Sequence, residues 1–302
     1  MSLTLDGTSG VTFTDSTLVG TSNSMGMRNR IINGNMAIDQ RNSGASQTFT
    51  AAAALAYSVD RWYGYCTGAN VTGVQVDNTG TTASPSQYAY QFTGAASVTA
   101  IGFAQRIEAI NCYDLANTTA TLSVNLSNSL LTTVTWTAYY AATTDTFGTL
   151  ASPTRTQIAT GTFTVTSTLT RYSTQISIPA AATTGIEIVF TVGAQTSGTW
   201  VIGNVQLEVG SVATPFERRM YQQELQLCYR YYQYYGTVNQ CGTSTNAPIR
   251  WGGLFYTELR AQPTITTAGS GTSAWGRDAW GWTVVISTNS GTASLRTASA
   301  EL

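Results

Sequence analysis

The chain has 302 residues and a formal net charge of -1, and only 10% of its residues are charged, against about 25% for ordinary soluble domains. Its 14 cationic residues are all arginine, and neither lysine nor histidine occurs. These absences remove the commonest general base, the commonest zinc ligand, the Schiff-base nucleophile and the lysine of a phosphate-binding loop, and the scattered arginines offer no basic footprint to a nucleic acid.

The opening from Met1 to Gly7 has neither a basic head nor an apolar run, so no secretory signal is expected. A run of about eighteen apolar residues occurs nowhere, which argues against membrane insertion. From Leu3 to Ser24 short alternating pieces, Leu3-Thr4-Leu5 and Val11-Thr12-Phe13-Thr14, are interrupted by Gly7, Gly10 and Asp15-Ser16. They read as a β arm over 1–28 that attaches to another chain or exchanges strands with a neighbouring subunit, with a frayed terminus as the plain alternative.

Between Ile31 and Val209 the pattern is β throughout. Thr121 to Leu126 alternates, as do Phe163-Thr164-Val165 and Gln175 to Ile178, whereas Ile186 to Val192 and Trp200 to Leu207 read as more fully buried strands. Many short strands with glycine, asparagine and threonine turns predict a sandwich, most economically a jelly roll, over 29–213.

The period then changes. Thr214 as N-cap, Pro215 at the first helical position and Glu217 three residues after the cap predict one connecting helix over 214–236. Tyr221, Leu225, Cys228, Tyr232 and Tyr235 fall at spacings of four and three on one seam, which packs either on its own domain or on symmetry mates. From 237 to 302 β character resumes as a small C-terminal tip domain, in Ile249 to Leu259, Pro263 to Thr266, Gly281 to Ile286 and Ala293 to Leu302. The fold class expected is therefore mainly β: a jelly-roll sandwich, a connecting helix and a small β domain.

Cys66, Cys112, Cys228 and Cys241 show no CxxC spacing and read as buried thiols; Cys228 and Cys241 are the pair that a turn could bring together. Low net charge leaves hydroxyl-rich sheet edges without repulsive protection, so an oligomer is expected. Chemistry concentrates in the tip, where Trp275, Asp278, Trp280 and Trp282 lie within eight residues. Trp280 and Trp282 share a face if extended, and flat indoles beside a carboxylate suit sugar rings; the plain reading is that these tryptophans fill a small core. A second cluster, Trp62-Tyr63-Gly64-Tyr65, reads chiefly as core, and Trp136, Tyr139 and Tyr140 line a loop or a sheet face. The carboxylates Asp39, Asp60, Glu208 and Glu217 are the only candidates for glycosidase-type chemistry, and each is more simply a strand-end or helix-cap group, so no enzyme is expected.

Three stretches, Asn29 to Asn42, Tyr57 to Trp62 and Asn204 to Glu217, together with Glu224 to Tyr232 and the ending Thr297 to Leu302, resemble bacteriophage tail-fibre proteins in their order and co-occurrence. The middle domain is also similar to jelly-roll carbohydrate-binding modules, with Asn33-Gly34 near the opening strand and Val205-Gln206-Leu207-Glu208 as the closing one. Such modules often carry a structural calcium near the closing strand, but here the corresponding position is Asn204, which lowers the available charge, and neither metal nor cofactor is expected. The resemblance implies a non-catalytic virion protein, assembled in the host cytoplasm and exposed on the particle. It would be a homotrimer, joined to other tail or head proteins through its N-terminal arm and bound to host surface polysaccharide. The alternative is an architectural virion protein, a head fibre, decoration or baseplate component, that binds no receptor.

Overall fold

The computed structural model describes residues 4–6, 10–12, 18–19, 27–52, 54–78, 88–235, 240–242, 249–268, 272–276, 281–286 and 291–302. Side chains are described for 27–52, 54–78, 88–235, 254–266, 281 and 297–302. The chain divides into two compact units, Met1–Arg219 with Leu302, and Met220–Glu301.

In the first unit, β1 (Thr4–Asp6), β2 (Gly10–Thr12) and β3 (Leu18–Val19) pair with one another as a small antiparallel sheet. They are followed by β4 (Gln47–Phe49), β5 (Ala56–Tyr57), β6 (Trp62–Thr67), β7 (Val71–Asp77), β8 (Tyr88–Thr93) and β9 (Ala100–Ile107). The remaining strands are β10 (Thr119–Asn128), β11 (Thr133–Ala141), β12 (Arg155–Thr164), β13 (Thr170–Ser177), β14 (Ile186–Val192) and β15 (Thr199–Val209). Sheet I has the order β13-β10-β15-β8-β7-β4 and sheet II the order β12-β11-β14-β9-β6-β5, with every pairing antiparallel. Because the chain passes from one sheet to the other at most connections, the unit is the jelly-roll sandwich that the strand pattern predicts.

Alternation explains the core. On β10, Ala120, Leu122, Val124 and Leu126 enter it, as do Ile186, Ile188, Phe190 and Val192 on β14. Aromatic rings fill the centre: Trp62 stacks on Phe103 at 4.9 Å, Phe103 on Tyr90 at 5.0 Å, and Phe92 on Trp200 at 5.3 Å between centroids. Rings of this size each bury roughly 150–250 Å², so a handful of them spans the space between two sheets.

The three separated motifs of unit 1 meet in one hydrogen-bonded hub. Asn29 donates Nδ2 to the Val205 carbonyl at 3.0 Å and accepts at Oδ1 from the amides of Ile31 at 2.9 Å and Leu207 at 3.1 Å. Asn33, in the left-handed region at φ 55°, donates to the carbonyls of Ile38 and Asp60 at 2.8 and 2.9 Å and accepts from the Ile38 amide at 2.9 Å. The Trp62 indole donates to the Asn33 carbonyl at 3.0 Å. Gly34 lies so close to β15 that a Cβ there would run into the Val205 carbonyl, whose own amide donates to Gly34 at 2.9 Å. Glu217 accepts from the Asn29 amide at 2.7 Å. The side chains in these motifs satisfy backbone groups that no strand ladder reaches.

Residues 211–219 cross the outer face of sheet I. Gln175 donates to the Ser211 carbonyl at 2.7 Å, Arg171 donates to the Thr214 carbonyl, and Glu208 accepts from the Thr214 amide at 2.9 Å and its hydroxyl at 2.6 Å. The β13-β10-β15 part of that face is therefore crossed by the chain itself.

The second unit comprises α1 (Tyr221–Tyr229), β16 (Tyr232–Tyr234), β17 (Gln240–Gly242), β18 (Ile249–Leu254), β19 (Thr264–Ala268), β20 (Thr272–Gly276), β21 (Gly281–Ile286) and β22 (Gly291–Ser299). β16, β17 and β19 pair with β22, while β18, β21 and β20 form a separate three-stranded sheet.

The helix expected over 214–236 is confined to Tyr221–Tyr229. Its expected N-cap, Thr214, instead gives its amide and hydroxyl to Glu208, and Glu217 gives its carboxylate to Asn29. At the other end the aromatic run from Tyr231 to Tyr235 favours extended backbone, and Tyr232–Tyr234 pairs with β22. The seam is thereby broken. Tyr221, Leu225 and Cys228 lie on the helix, Tyr232 lies on β16 and Tyr235 follows it; Cys228 and Tyr232 are buried, whereas Tyr221 is 58% exposed. The boundary between the two compact units falls at Arg219/Met220.

Candidate functional site

The outer face of sheet II is where unit 1 presents its chemistry. The pleat and the register place outward residues in rows across the strands. One row runs Thr162, Thr135, Thr191, Gly102, Tyr65; the next runs Thr160, Thr137, Val189, Ala104, Tyr63, Tyr57; a third runs Gln157, Tyr139, Glu187, Arg106. The middle row makes a small apolar cluster in which Tyr63, Ala104 and Val189 are buried beneath Leu55, Tyr57, Tyr65, Tyr139 and Leu150.

The third row is electrostatic. Glu187 is fully buried, accepts from the Tyr63 hydroxyl at 2.5 Å and from Arg106 Nε at 2.7 Å, and forms an ion pair with Arg155. Two guanidiniums and a phenol thus compensate a carboxylate that would otherwise be prohibitively costly to bury. Arg155 lies over the Tyr139 ring at 4.2 Å, and Arg106 over the rings of Tyr63 and Phe147 at 5.2 and 5.3 Å. The 142–154 connection roofs this end, since Arg106 also donates to the Gly148 carbonyl at 3.1 Å. Burial pushes the Tyr63 phenol up to about 12, opposed by the positive charge of Arg106 and Arg155.

The first row is different. Gly102 has no Cβ, so the Tyr65 ring lies across β9 in the space a side chain would fill. Burial also raises the Tyr65 phenol above its ordinary range. Beside it, where β9 and β11 begin and β14 ends, is a groove of about 570 Å³. Thr132, Thr133, Thr135 and Thr191 supply its hydroxyls and Ala100 and Leu131 its apolar side chains, and Val192, whose side chain belongs to the core, and Gly193 complete the lining. Among the described residues none of these four hydroxyls is engaged by another protein group. The arrangement offers a flat ring, methyl groups and uncommitted hydroxyls on one face, in a groove within the usual range for small-ligand sites of about 300–1,000 Å³.

Of the residues singled out from sequence, Trp275 lies on β20 and Trp282 on the neighbouring β21, with Trp282 opposite Gly276 in the register. Asp278 and Trp280 lie outside the described residues, as does the Cys241 side chain. Trp62 is core, as expected, but Tyr63 and Tyr65 alternate onto the outer face. Trp136 is also core, packed over Gly161, while Tyr139 is on the face and Tyr140 packs partly buried against the core. The four carboxylates act locally. Asp39 accepts from the amides of Asn42 and Gly44 at 3.0 and 2.8 Å, Asp60 from the Gln40 amide at 3.1 Å, and Glu208 and Glu217 hold the 211–219 segment and Asn29.

Among the described residues no group of three or more acidic or cysteine side chains could hold a metal ion, and Asn204 is buried in the β15 bulge at φ 48°. No helix among them is long and apolar enough to cross a membrane. Glu187, Tyr65 and the threonines of the groove were not singled out from sequence as a site. They come from strands far apart in the chain, and only the Tyr-Gly-Tyr alternation on β6 hinted at an outward aromatic face.

No protein-family model and no curated protein sequence matches the chain. Solved structures do. The enzymatically active domain of tailspike protein 4 of bacteriophage CBA120 is 17% identical with a TM-score of 0.39, over 61% of this chain and 22% of that one. The module TmCBM61, solved with β-1,4-galactotriose, is 14% identical with a TM-score of 0.38, over 61% of this chain and 99% of that one. A cyclase from Fischerella sp. TAU is 13% identical with a TM-score of 0.34, over 60% and 96% respectively. The chain therefore spans less than a quarter of the tailspike domain, and what it shares with these proteins is a likeness of fold.

Proposed function

We propose that this chain is a non-catalytic glycan-binding protein of a bacteriophage virion, which attaches the particle to host surface polysaccharide as a homotrimer. The observation that carries the glycan reading is the Tyr65 ring laid over Gly102 beside the threonine groove of sheet II. A sugar ring presents an apolar face and a rim of hydroxyls, and this surface complements both. The phage reading rests on the motif order, and three of those motifs supply the residues of the hub, which support the sandwich rather than the ligand. Several weak sites on one particle raise effective affinity by roughly 10² to 10⁴ when geometry allows simultaneous engagement, so no single contact has to be strong.

The test is binding of the purified full chain to host polysaccharide, with oligomeric state measured on the same sample by light scattering. Gly102→Val or Tyr65→Ala should weaken binding if the sandwich face is the site, whereas W280A with W282A should do so if the tip is. Binding unaffected by either pair, or no binding at all, defeats the proposal; release of reducing sugars defeats the non-catalytic part.

A further inference from the structure

Resting on that reading, we propose that the groove of sheet II selects an uncharged sugar bearing a methyl group, either the C6 methyl of a 6-deoxyhexose or the methyl of an O-acetyl ester. The lining decides the class. It contributes threonine hydroxyls and methyls with Ala100, Leu131, Val192 and Gly193, and none of its residues carries a charge or a carboxamide. A carboxylate or phosphate entering it would lose water without gaining a counter-charge, which is costly.

The charged groups of the same face are out of reach. Thr191 and Glu187 lie on one strand four residues apart, about 13 Å at 3.3 Å per residue. Across that distance exposed charges are largely screened at physiological salt, where the screening length is about 8 Å. Arg106 and Arg155 are in any case engaged by Glu187. The uncommitted hydroxyls of Thr133, Thr135 and Thr191 can bond one edge of a neutral ring. Ala100, with the threonine methyls, offers apolar surface that a ring decorated only with hydroxyls would leave unfilled. A methyl group fills it, and one methyl in such a pocket is worth about tenfold or more in discrimination.

Titration calorimetry on the full chain separates the cases. Four ligands are used: an O-acetylated neutral polysaccharide, its chemically de-O-acetylated form, a 6-deoxyhexose-rich neutral polysaccharide, and a polyuronate, each at low and high salt. At least one methyl-bearing ligand should bind about tenfold more tightly than the polyuronate, with an affinity that salt does not change. Loss on de-O-acetylation assigns the methyl to the ester, and retention with the 6-deoxy ligand assigns it to C6. Thr191→Glu, with its melting temperature checked, should weaken the preferred ligand. Equal or tighter binding of the polyuronate, salt-dependent affinity, or indifference to T191E overturns the inference while leaving glycan binding intact. Binding of none of the four sinks the glycan reading together with the inference.

Discussion

The hub formed by Asn29, Asn33, Gly34, Asp60, Trp62, Val205 and Glu217 and the outer face of sheet II are both rich in polar groups, yet they use them in opposite ways. In the hub, the asparagine and glutamate side chains bond to backbone amides or carbonyls within the same unit. On the face, one end is closed by a compensated ion cluster, and the other carries hydroxyls with no protein partner among the described residues. Polarity alone therefore does not identify a site; a bonding capacity left unspent in the folded chain does. The distinction can be tested by substitutions that separate stability from binding.

The largest effect is expected at the closed end of the face. Glu187→Ala strands two partly buried arginines and should destabilise unit 1 by about 3–5 kcal/mol. The denaturant midpoint should fall with an unchanged slope. Little loss of stability would mean that this end is not buried as the structure has it. The hub comes next. Asn33→Ala removes three hydrogen bonds and leaves an alanine at φ 55°, for a loss of about 3 kcal/mol. Glycan affinity of the folded protein should be unchanged, because the hub contributes nothing to the groove. A variant of normal stability but weakened binding would reverse the assignment of the two regions.

The third test uses pH. A Tyr63 phenol raised from 10.0 to about 12 by burial favours the neutral form in the folded state. Its contribution is complete below pH 10 and is lost as pH rises toward 12. At about 1.4 kcal/mol per unit this amounts to about 2–3 kcal/mol. Stability of the native chain should therefore fall more steeply across that window than that of Tyr63→Phe, which has nothing to titrate there. Parallel curves would place the phenol in contact with water.

The motifs of the hub were legible in the sequence and the face was not, for a physical reason. Within Asn29 to Asn42 several bonds are local, Asn29 to the Ile31 amide and Asn33 to both backbone groups of Ile38, so the stretch reads as a motif. That it meets Asp60, Trp62, Val205 and Leu207 is set by the fold. The strands were legible because alternation follows burial: Leu122, Val124 and Leu126 declare one face. The face itself is assembled from Tyr65, Gly102, Thr135 and Thr191, whose adjacency is set by strand order rather than by spacing. The helix failed where tertiary bonds outbid local preference, since Thr214 and Glu217 have helix-start chemistry but better partners on sheet I and at Asn29. The unlike fates of Tyr63 and Tyr65, two residues apart on one strand, lie in what covers them, which no local pattern records.

The smallest effect is the most discriminating. Gly102→Ala adds one methyl where the Tyr65 ring rests, and the atoms in its way are the far end of a flexible side chain, so the ring can swing aside without moving the sheet. Because Gly102 is buried and the ring helps to cover Ala104 and Val189, stability should fall by about 1 kcal/mol, the ordinary size of a point-substitution effect. The platform beside the groove would nevertheless be lost, and with it an aromatic contact of about 1 kcal/mol, or roughly a fivefold weaker Kd. Tyr65→Ala should give the same loss, and the double variant no more than either alone, because both remove one contact. Additive losses would mean that Gly102 touches ligand directly and that the ring is not the platform.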